Sequence, residues 1–334
     1  MKKYNIAVVG ATGMVGRKFL QVLEERQLPA KEYFLFASSR SVGRKLEFMG
    51  KQFSVEELNE KSFEGRGIDI ALFSAGAGAS LKFAPIAAAA GVLVIDNSSA
   101  WRMDDTVPLV VPEVNPQDIA WNHGIIANPN CSTIQAVVAL KPLHDKYKIK
   151  RVVYSTYQAV SGAGIGGLRD LENGMAGDPP KKFPYPIFGN VIPQIDVFDD
   201  NGYTKEEIKM VKETQKILGD QSIRVTATTV RVPVFNGHSE SINLEFEKPY
   251  DLAELKEDLR AAKGVIVVDD PAKNEYPMPL LLAGRDEVFI GRIRRDETVD
   301  SGLNIWVVAD NLRKGAATNA VQIAQEYINM QKNK

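Results

Sequence analysis

Tyr4-Asn5-Ile6-Ala7-Val8-Val9-Gly10-Ala11-Thr12-Gly13-Met14-Val15-Gly16-Arg17-Lys18-Phe19-Leu20-Gln21-Val22-Leu23-Glu24 contains three patterns in succession. A short apolar run rich in β-branched residues reads as a buried strand, a glycine-rich turn follows, and an amphipathic stretch then reads as a helix. Glycine has no side chain to hold an anion away. Backbone N–H groups in such a turn therefore approach a pyrophosphate at the helix N-terminus, as in dinucleotide-binding folds. Gly10, Thr12, Gly13, Met14 and Val15 are the candidate contacts. The spacing departs from G-x-G-x-x-G, because Gly10, Gly13 and Gly16 fall three apart, and a tight turn without a ligand is the competing reading.

Working outward, Tyr33–Ala37 is a second strand, and it ends in Ser38-Ser39-Arg40-Ser41. An NAD-binding fold usually offers an acidic residue to the ribose hydroxyls at this place. Here Ser39, Arg40 and Ser41 suit a 2′-phosphate instead, which points to NADP(H); an exposed loop arginine is the alternative. Ile68–Phe73 and Val92–Asp96 supply further buried strands around an alanine-rich helix near Ala84–Ala90. That rhythm predicts a parallel sheet with ligands gathering at the C-terminal strand ends.

The pattern changes at Asn128-Pro129-Asn130-Cys131-Ser132-Thr133, which holds the one cysteine of the chain. Polar first-turn residues precede an apolar run, so Cys131 is expected at the N-terminus of a helix over 131–147, where the dipole favours a thiolate; an inert buried cysteine is the bland reading. Strand-like runs follow at 151–160, 223–230, 239–246, 265–268, 288–294 and 303–309, with helices near 205–218 and 252–262. These predict an antiparallel or mixed sheet covered on one face. A final helix over 316–330 is expected to return to the first domain. Ser161-Gly162-Ala163-Gly164-Ile165-Gly166-Gly167 reads as a glycine-rich loop. Arg231 and His238 bracket a Pro and an Asn-Gly turn, one suited to a carboxylate and the other to proton transfer.

The fold expectation is thus α/β: a Rossmann-like dinucleotide-binding domain, 1–130 plus a C-terminal helix 314–334, and an α+β catalytic and dimerisation domain with a mixed sheet, 131–313. A formal charge of −1 with both signs scattered gives no basic stripe for nucleic acid. One cysteine and three histidines offer no cysteine-based zinc cluster and suit a reducing compartment. With no signal-peptide pattern and no run of about 18 apolar residues, no membrane contact and a cytoplasmic location are expected.

Four segments taken in order resemble the aspartate-β-semialdehyde dehydrogenases from end to end: the Gly10–Gly16 turn, Asn130-Cys131-Ser132-Thr133, Tyr157-Gln158-Ala159-Val160-Ser161-Gly162-Ala163-Gly164, and Arg231 to His238. The wording around Cys131 and Gln158 is closer to the Gram-positive and archaeal-like branches. The resemblance implies reversible, NADPH-dependent reduction of L-aspartyl 4-phosphate to L-aspartate 4-semialdehyde and phosphate, a step toward lysine, threonine and methionine. It implies Cys131 as nucleophile, His238 as acid and base, and Gln158 as the residue orienting the intermediate. By the same resemblance Asn130 belongs to the site, Arg231 grips the α-carboxylate, Glu207 the amino group, and Lys209 and Arg102 the phosphate. Ser161, Gly162 and Asn319 fall to the cofactor, and a homodimer or a dimer of dimers is the expected assembly. N-acetyl-γ-glutamyl-phosphate reductase is the alternative enzyme, but its acylated substrate would leave Glu207 no ammonium to pair with. An NADP-binding regulatory paralogue is the non-enzymatic alternative. No tyrosine has a lysine four residues on, which excludes a short-chain dehydrogenase pair.

Overall fold

Two compact units form, one from residues up to Pro129 together with Ala316 onward, the other from Asn130–Gly315. The computed structural model describes residues 2–332; the last two positions of the expected 314–334 segment lie outside them.

The first unit is built on six parallel strands. In chain order they and their helices are β1 (Tyr4–Val9), α1 (Met14–Arg26), β2 (Ala30–Ala37), a small antiparallel hairpin β3 (Lys45–Phe48) and β4 (Lys51–Ser54), β5 (Glu56–Glu57), β6 (Ile70–Phe73), α2 (Ala77–Ala89), β7 (Leu93–Asp96) and β8 (Ile125–Ala127). The sheet order is β5-β2-β1-β6-β7-β8. β1 pairs with β2 on one side and β6 on the other, so the chain reverses its direction of growth beside β1 and leaves a crevice at the strand ends. Strands buried on both faces need continuous apolar sequence, and Ile70–Phe73 and Leu93–Asp96 are buried throughout. The hairpin and β5 carry no sequence signal of their own: the hairpin strands are four residues each and β5 is two glutamates.

The second unit contains α3 (Cys131–Tyr147), β9 (Ile149–Gln158), α4 (Ile165–Met175), α5 (Lys205–Leu218), β10 (Arg224–Arg231), β11 (His238–Phe246), α6 (Leu252–Ala261), β12 (Val265–Val267), α7 (Pro279–Leu282), β13 (Val288–Asp296) and β14 (Gly302–Ala309). Its sheet is mixed, in the order β10-β9-β11-β14-β13-β12, with β10–β9 and β12–β13 parallel and the other pairs antiparallel. The alternation along β11 buries His238, Glu240, Ile242, Leu244 and Phe246. On the other face Tyr157 packs against Trp306 with the rings tilted and their centroids 5.4 Å apart, and stays 40% exposed. The 161–167 stretch is helical rather than a loop: a 3-10 turn at Val160–Ala163 runs through Gly164 into α4. Gly164 takes φ +77° with open space around it and so serves the turn, whereas a side chain at Gly167 would strike the carbonyl of Val160, so that glycine serves close packing. The last helix, α8 (Thr318–Lys332), follows a π-turn at Arg313–Ala317 and packs into the core of the first unit through Val321, Ile323, Ala324 and Ile328.

Candidate active site

Asn130 determines where the cysteine lies. Its Oδ1 accepts from the N–H groups of Ser132 and Thr133, at 3.0 and 3.4 Å, so it is the N-cap of α3 and Cys131 is the first helical residue. A sulfur at that position sees the positive end of the helix dipole. Gly315, in the π-turn, presses its backbone against this residue; a Cβ there would lie 2.9 Å from the Cβ of Cys131.

Cys131 Sγ lies 3.3 Å from His238 Nε2. The other ring nitrogen accepts the Ala159 N–H at 3.0 Å, so the neutral ring carries its proton on Nε2, facing the sulfur. Burial, reinforced by the Arg231 guanidinium, holds the imidazole pKa well below its ordinary value, and the ring is neutral at physiological pH. Two further contacts fix this residue and its loop. Gln135 donates to the His238 carbonyl at 3.3 Å, and Asn311 accepts the Gly237 N–H at 2.9 Å while bonding Ser161.

Around the pair stand buried groups from β9, α5 and β10. Gln158 donates at 3.3 Å to both Thr156 Oγ1 and Glu206 Oε1. Asn130 Nδ2 reaches the same Glu206 oxygen at 2.9 Å, and Lys209 Nζ lies 3.3 Å from the other. Lys209 also pairs with Asp196 at 2.8 Å. Arg231 donates to the Ala159 carbonyl at 2.6 Å; its burial lowers the guanidinium pKa, opposed by Glu206 and Cys131. Gly162 is a required absence, since a Cβ there would lie 2.8 Å from Arg231 Nη1 and 3.2 Å from the His238 ring.

Glu207 does not join this cluster. One of its carboxylate oxygens accepts the Thr204 N–H at 2.7 Å and the other the Thr229 N–H at 2.9 Å, and Thr204 caps α5 in return. It is the acidic half of a capping box, and its neighbour Glu206 is the acid that reaches Asn130 and Gln158. The Thr204-x-x-Glu207 spacing carried that signal in the sequence.

In the first unit a cavity of 520 Å³ opens at the ends of β1, β2 and β6, lined by Gly10, Thr12, Gly13, Ser38, Ser39, Arg40, Glu57 and Ser74 among others. A Cβ at Gly10 would meet the Ser74 carbonyl at 2.2 Å, and Gly10 adopts φ +85°. Among the described residues no side chain caps α1, so its first-turn N–H groups remain for a ligand. Met14 and Val15 form that first turn outside the cavity lining, and Ser41 is buried with its hydroxyl 3.2 Å from that of Thr12. Arg102 is buried and donates to the Asn97 carbonyl at 3.0 Å. Asn319 is fully buried, and its amide donates to Val110 O and Asn128 Oδ1, at 3.0 and 2.7 Å. Both its N–H groups are thus used within the fold.

A model of the semialdehyde dehydrogenase NAD binding domain matches residues 5–122, and one of the semialdehyde dehydrogenase dimerisation domain matches residues 140–314. Aspartate-semialdehyde dehydrogenase of Aquifex aeolicus is 60% identical, over 96% of this chain and 97% of that protein. The chain belongs to the aspartate-semialdehyde dehydrogenase family. The Bacillus subtilis aspartate-semialdehyde dehydrogenase is 48% identical over 96% of each chain. Among solved structures, aspartate-semialdehyde dehydrogenase II of Vibrio cholerae, complexed with ASA, superposes with a TM-score of 0.94 at 49% identity, covering 98% of this chain and 99% of that one. Within an aspartate-semialdehyde dehydrogenase framework, the sequence-predicted residues Cys131, His238, Gln158, Asn130, Arg231 and Lys209 lie in one cluster of the second unit. Sequence reasoning missed Glu206, Gln135, Asn311 and Gly315.

Proposed function

We propose that the chain reduces L-aspartyl 4-phosphate with NADPH, reversibly, through a thioester on Cys131. The observation that carries the reading is the first-turn sulfur 3.3 Å from a buried, neutral imidazole. In the reductive direction Sγ attacks the acyl carbon, the bond to phosphate breaks, and a thioester remains on the cysteine. When bound, the cofactor supplies the hydride to that acyl carbon. The Nε2–H of His238 hydrogen-bonds the charge that develops on the oxygen and on the departing sulfur. An oxyanion that expels a thiolate needs no added proton, so a neutral donor suffices in this direction; the proton of the overall balance leaves with phosphate.

Substrate recognition follows from the charges around the pair. Arg231 grips the α-carboxylate and Glu206 the ammonium, the role expected of Glu207 passing to its neighbour. Gln158 and Asn130 orient the acyl group through their shared bonds to Glu206. Lys209 and Arg102 are assigned to the phosphate. The cavity beside Gly10 fits a dinucleotide, since its glycines, hydroxyls and guanidinium suit a polyanion, and Ser38, Ser39 and Arg40 favour NADP(H) over NAD(H). A homodimer forms through the second unit, and a dimer of dimers is the finer possibility for light scattering to test. No described helix is long and apolar enough to cross a membrane.

The deciding experiment follows NADPH formation from L-aspartate semialdehyde, with and without phosphate, for the wild type and Cys131→Ala. Phosphate-dependent turnover that falls roughly 10⁴-fold or more in the variant is expected. Turnover of N-acetylglutamate semialdehyde alone would move the assignment to the corresponding reductase. Cofactor binding without turnover of either would leave a regulatory paralogue.

A further inference from the structure

The buried face of the second unit's sheet carries a polar layer directly beneath the His238–Gln158 level. β9 and β11 are antiparallel neighbours, and Glu240 sits opposite Thr156. The same face bears His238 two residues before Glu240 and Gln158 two residues after Thr156. Each upper residue is tied downward. Gln158 donates to Thr156 Oγ1 at 3.3 Å, and the His238 carbonyl accepts from Gln135 of α3, whose side chain neighbours Glu240. Glu240, Gln135 and Thr156 are each 0% exposed.

Nothing in the catalytic reading uses Glu240, yet its burial demands a reason. Among the described residues neither of its carboxyl oxygens, nor Gln135 Oε1, has a hydrogen-bond partner; the Gln135–Glu240 contact falls short of a well-formed bond. An ionised carboxylate left there would bear the full desolvation penalty of an unpaired buried charge. Glu206 and Tyr154 are the titratable groups whose charges reach it; neither is a cation. Burial and Glu206 together raise its pKa well above the ordinary glutamate range, so the group is a neutral acid with one O–H to donate and oxygens to accept.

We propose that Glu240 is a positioning residue for His238, acting through Gln135: the carboxyl O–H of Glu240 serves the otherwise unmatched Gln135 Oε1, and the buried polar link so formed fixes the backbone of the histidine, and hence its Nε2, against Cys131. The link is built on the central strand of the sheet and the nucleophile's own helix, so it sets the sulfur and the imidazole in one frame. This inference rests on the Cys131–His238 reading above, and extends it to a residue that touches neither substrate nor cofactor.

Three variants test it. Glu240→Gln keeps a neutral side chain of the same length and is expected to hold kcat within about twofold. Glu240→Leu removes the polar link and is expected to lower kcat roughly 10- to 100-fold, with KM for the semialdehyde within about twofold, as misplacement without lost binding predicts. Gln135→Met should reproduce that loss, and the double variant Glu240→Leu with Gln135→Met should cost no more than either alone. Iodoacetamide alkylation of Cys131 against pH gives a readout that needs no substrate. Its profile should shift in Glu240→Leu and Gln135→Met and stay fixed in Glu240→Gln. Wild-type kcat and alkylation profile in folded Glu240→Leu, additive losses in the double variant, or Glu240→Gln falling as far as Glu240→Leu would each overturn the proposal. If Glu240→Leu fails to fold, Gln135→Met carries the same kinetic and alkylation test alone. A wild type without semialdehyde turnover whose alkylation profile still responds to these variants would sink the functional reading and sustain this one.

Discussion

The two sites are made from opposite materials. The cavity at the ends of β1, β2 and β6 is built largely from backbone, glycine and small hydroxyls, with its arginine out in solvent. The Cys131 cluster is built from long polar side chains driven into the interior, with Gln158, Arg231, Glu206 and His238 all buried. A backbone site depends on which atoms are missing, because approach is limited by Cβ. A side-chain site depends on which atoms are present, because each buried polar group needs its partner. The first should therefore break when something is added, and the second when something is removed.

The sharpest test of the second half is Glu206→Gln, which keeps shape and removes one charge. With Arg231 left less balanced and the substrate ammonium unpaired, kcat/KM for aspartate semialdehyde should fall about 100-fold or more, an energy of roughly 3 kcal/mol. Steady-state kinetics with unchanged cofactor affinity would verify it; an effect below about threefold would break the contrast. For the first half, Gly10→Ala adds a single methyl at φ +85° and 2.2 Å from a carbonyl oxygen, and should lower stability by about 3 kcal/mol, read as a drop in melting temperature together with weakened NADPH binding. Arg40→Ala removes an exposed group and should cut the preference for NADPH over NADH by about tenfold, measured as a ratio of kcat/KM values, while melting unchanged.

The smallest effect is a pH dependence. Because the folded-state pKa of Glu240 lies well above its unfolded value, its favourable contribution is complete below the ordinary glutamate pKa and is lost as pH rises toward the folded one. Glu240→Gln should accordingly melt close to wild type in acid and progressively above it toward neutral pH. A gap that stays constant or narrows as pH rises would mean the carboxyl is ionised in the fold.

Legibility in the sequence followed the same division. Backbone features announce themselves, since glycine spacing after an apolar run is visible without knowing the neighbours. The helix at Cys131–Tyr147 and that at Lys205–Leu218 were readable to the residue, because each begins at a capping side chain. Side-chain partnerships were not. Glu206 and Glu207 are adjacent acids in one helical turn, and only the burial of one against Asn130 and Gln158 and the engagement of the other by Thr204 and Thr229 separates them. Asn311 and Gly315 act on residues 74 positions or more away in the chain, a relation no local pattern encodes. The glycines of 161–167 misled because the same residue that frees a loop also lets a helix approach its neighbour closely.

Under the proposed function, one side chain joins the nucleophile to the recognition of its target. Asn130 uses its oxygen to start the helix that holds Cys131 and its nitrogen to hold Glu206. Aspartate would keep the first function and repel the carboxylate; serine would keep the first and fall short of the second; glutamine would reach outward but abandon the start of the helix. This amide, at this length, has an acceptor and a donor placed to serve both. The tolerance of the position to change is therefore set by a conjunction rather than by either task, and any drift in the seat of the Glu206 carboxylate is transmitted directly to the start of the helix that carries the sulfur.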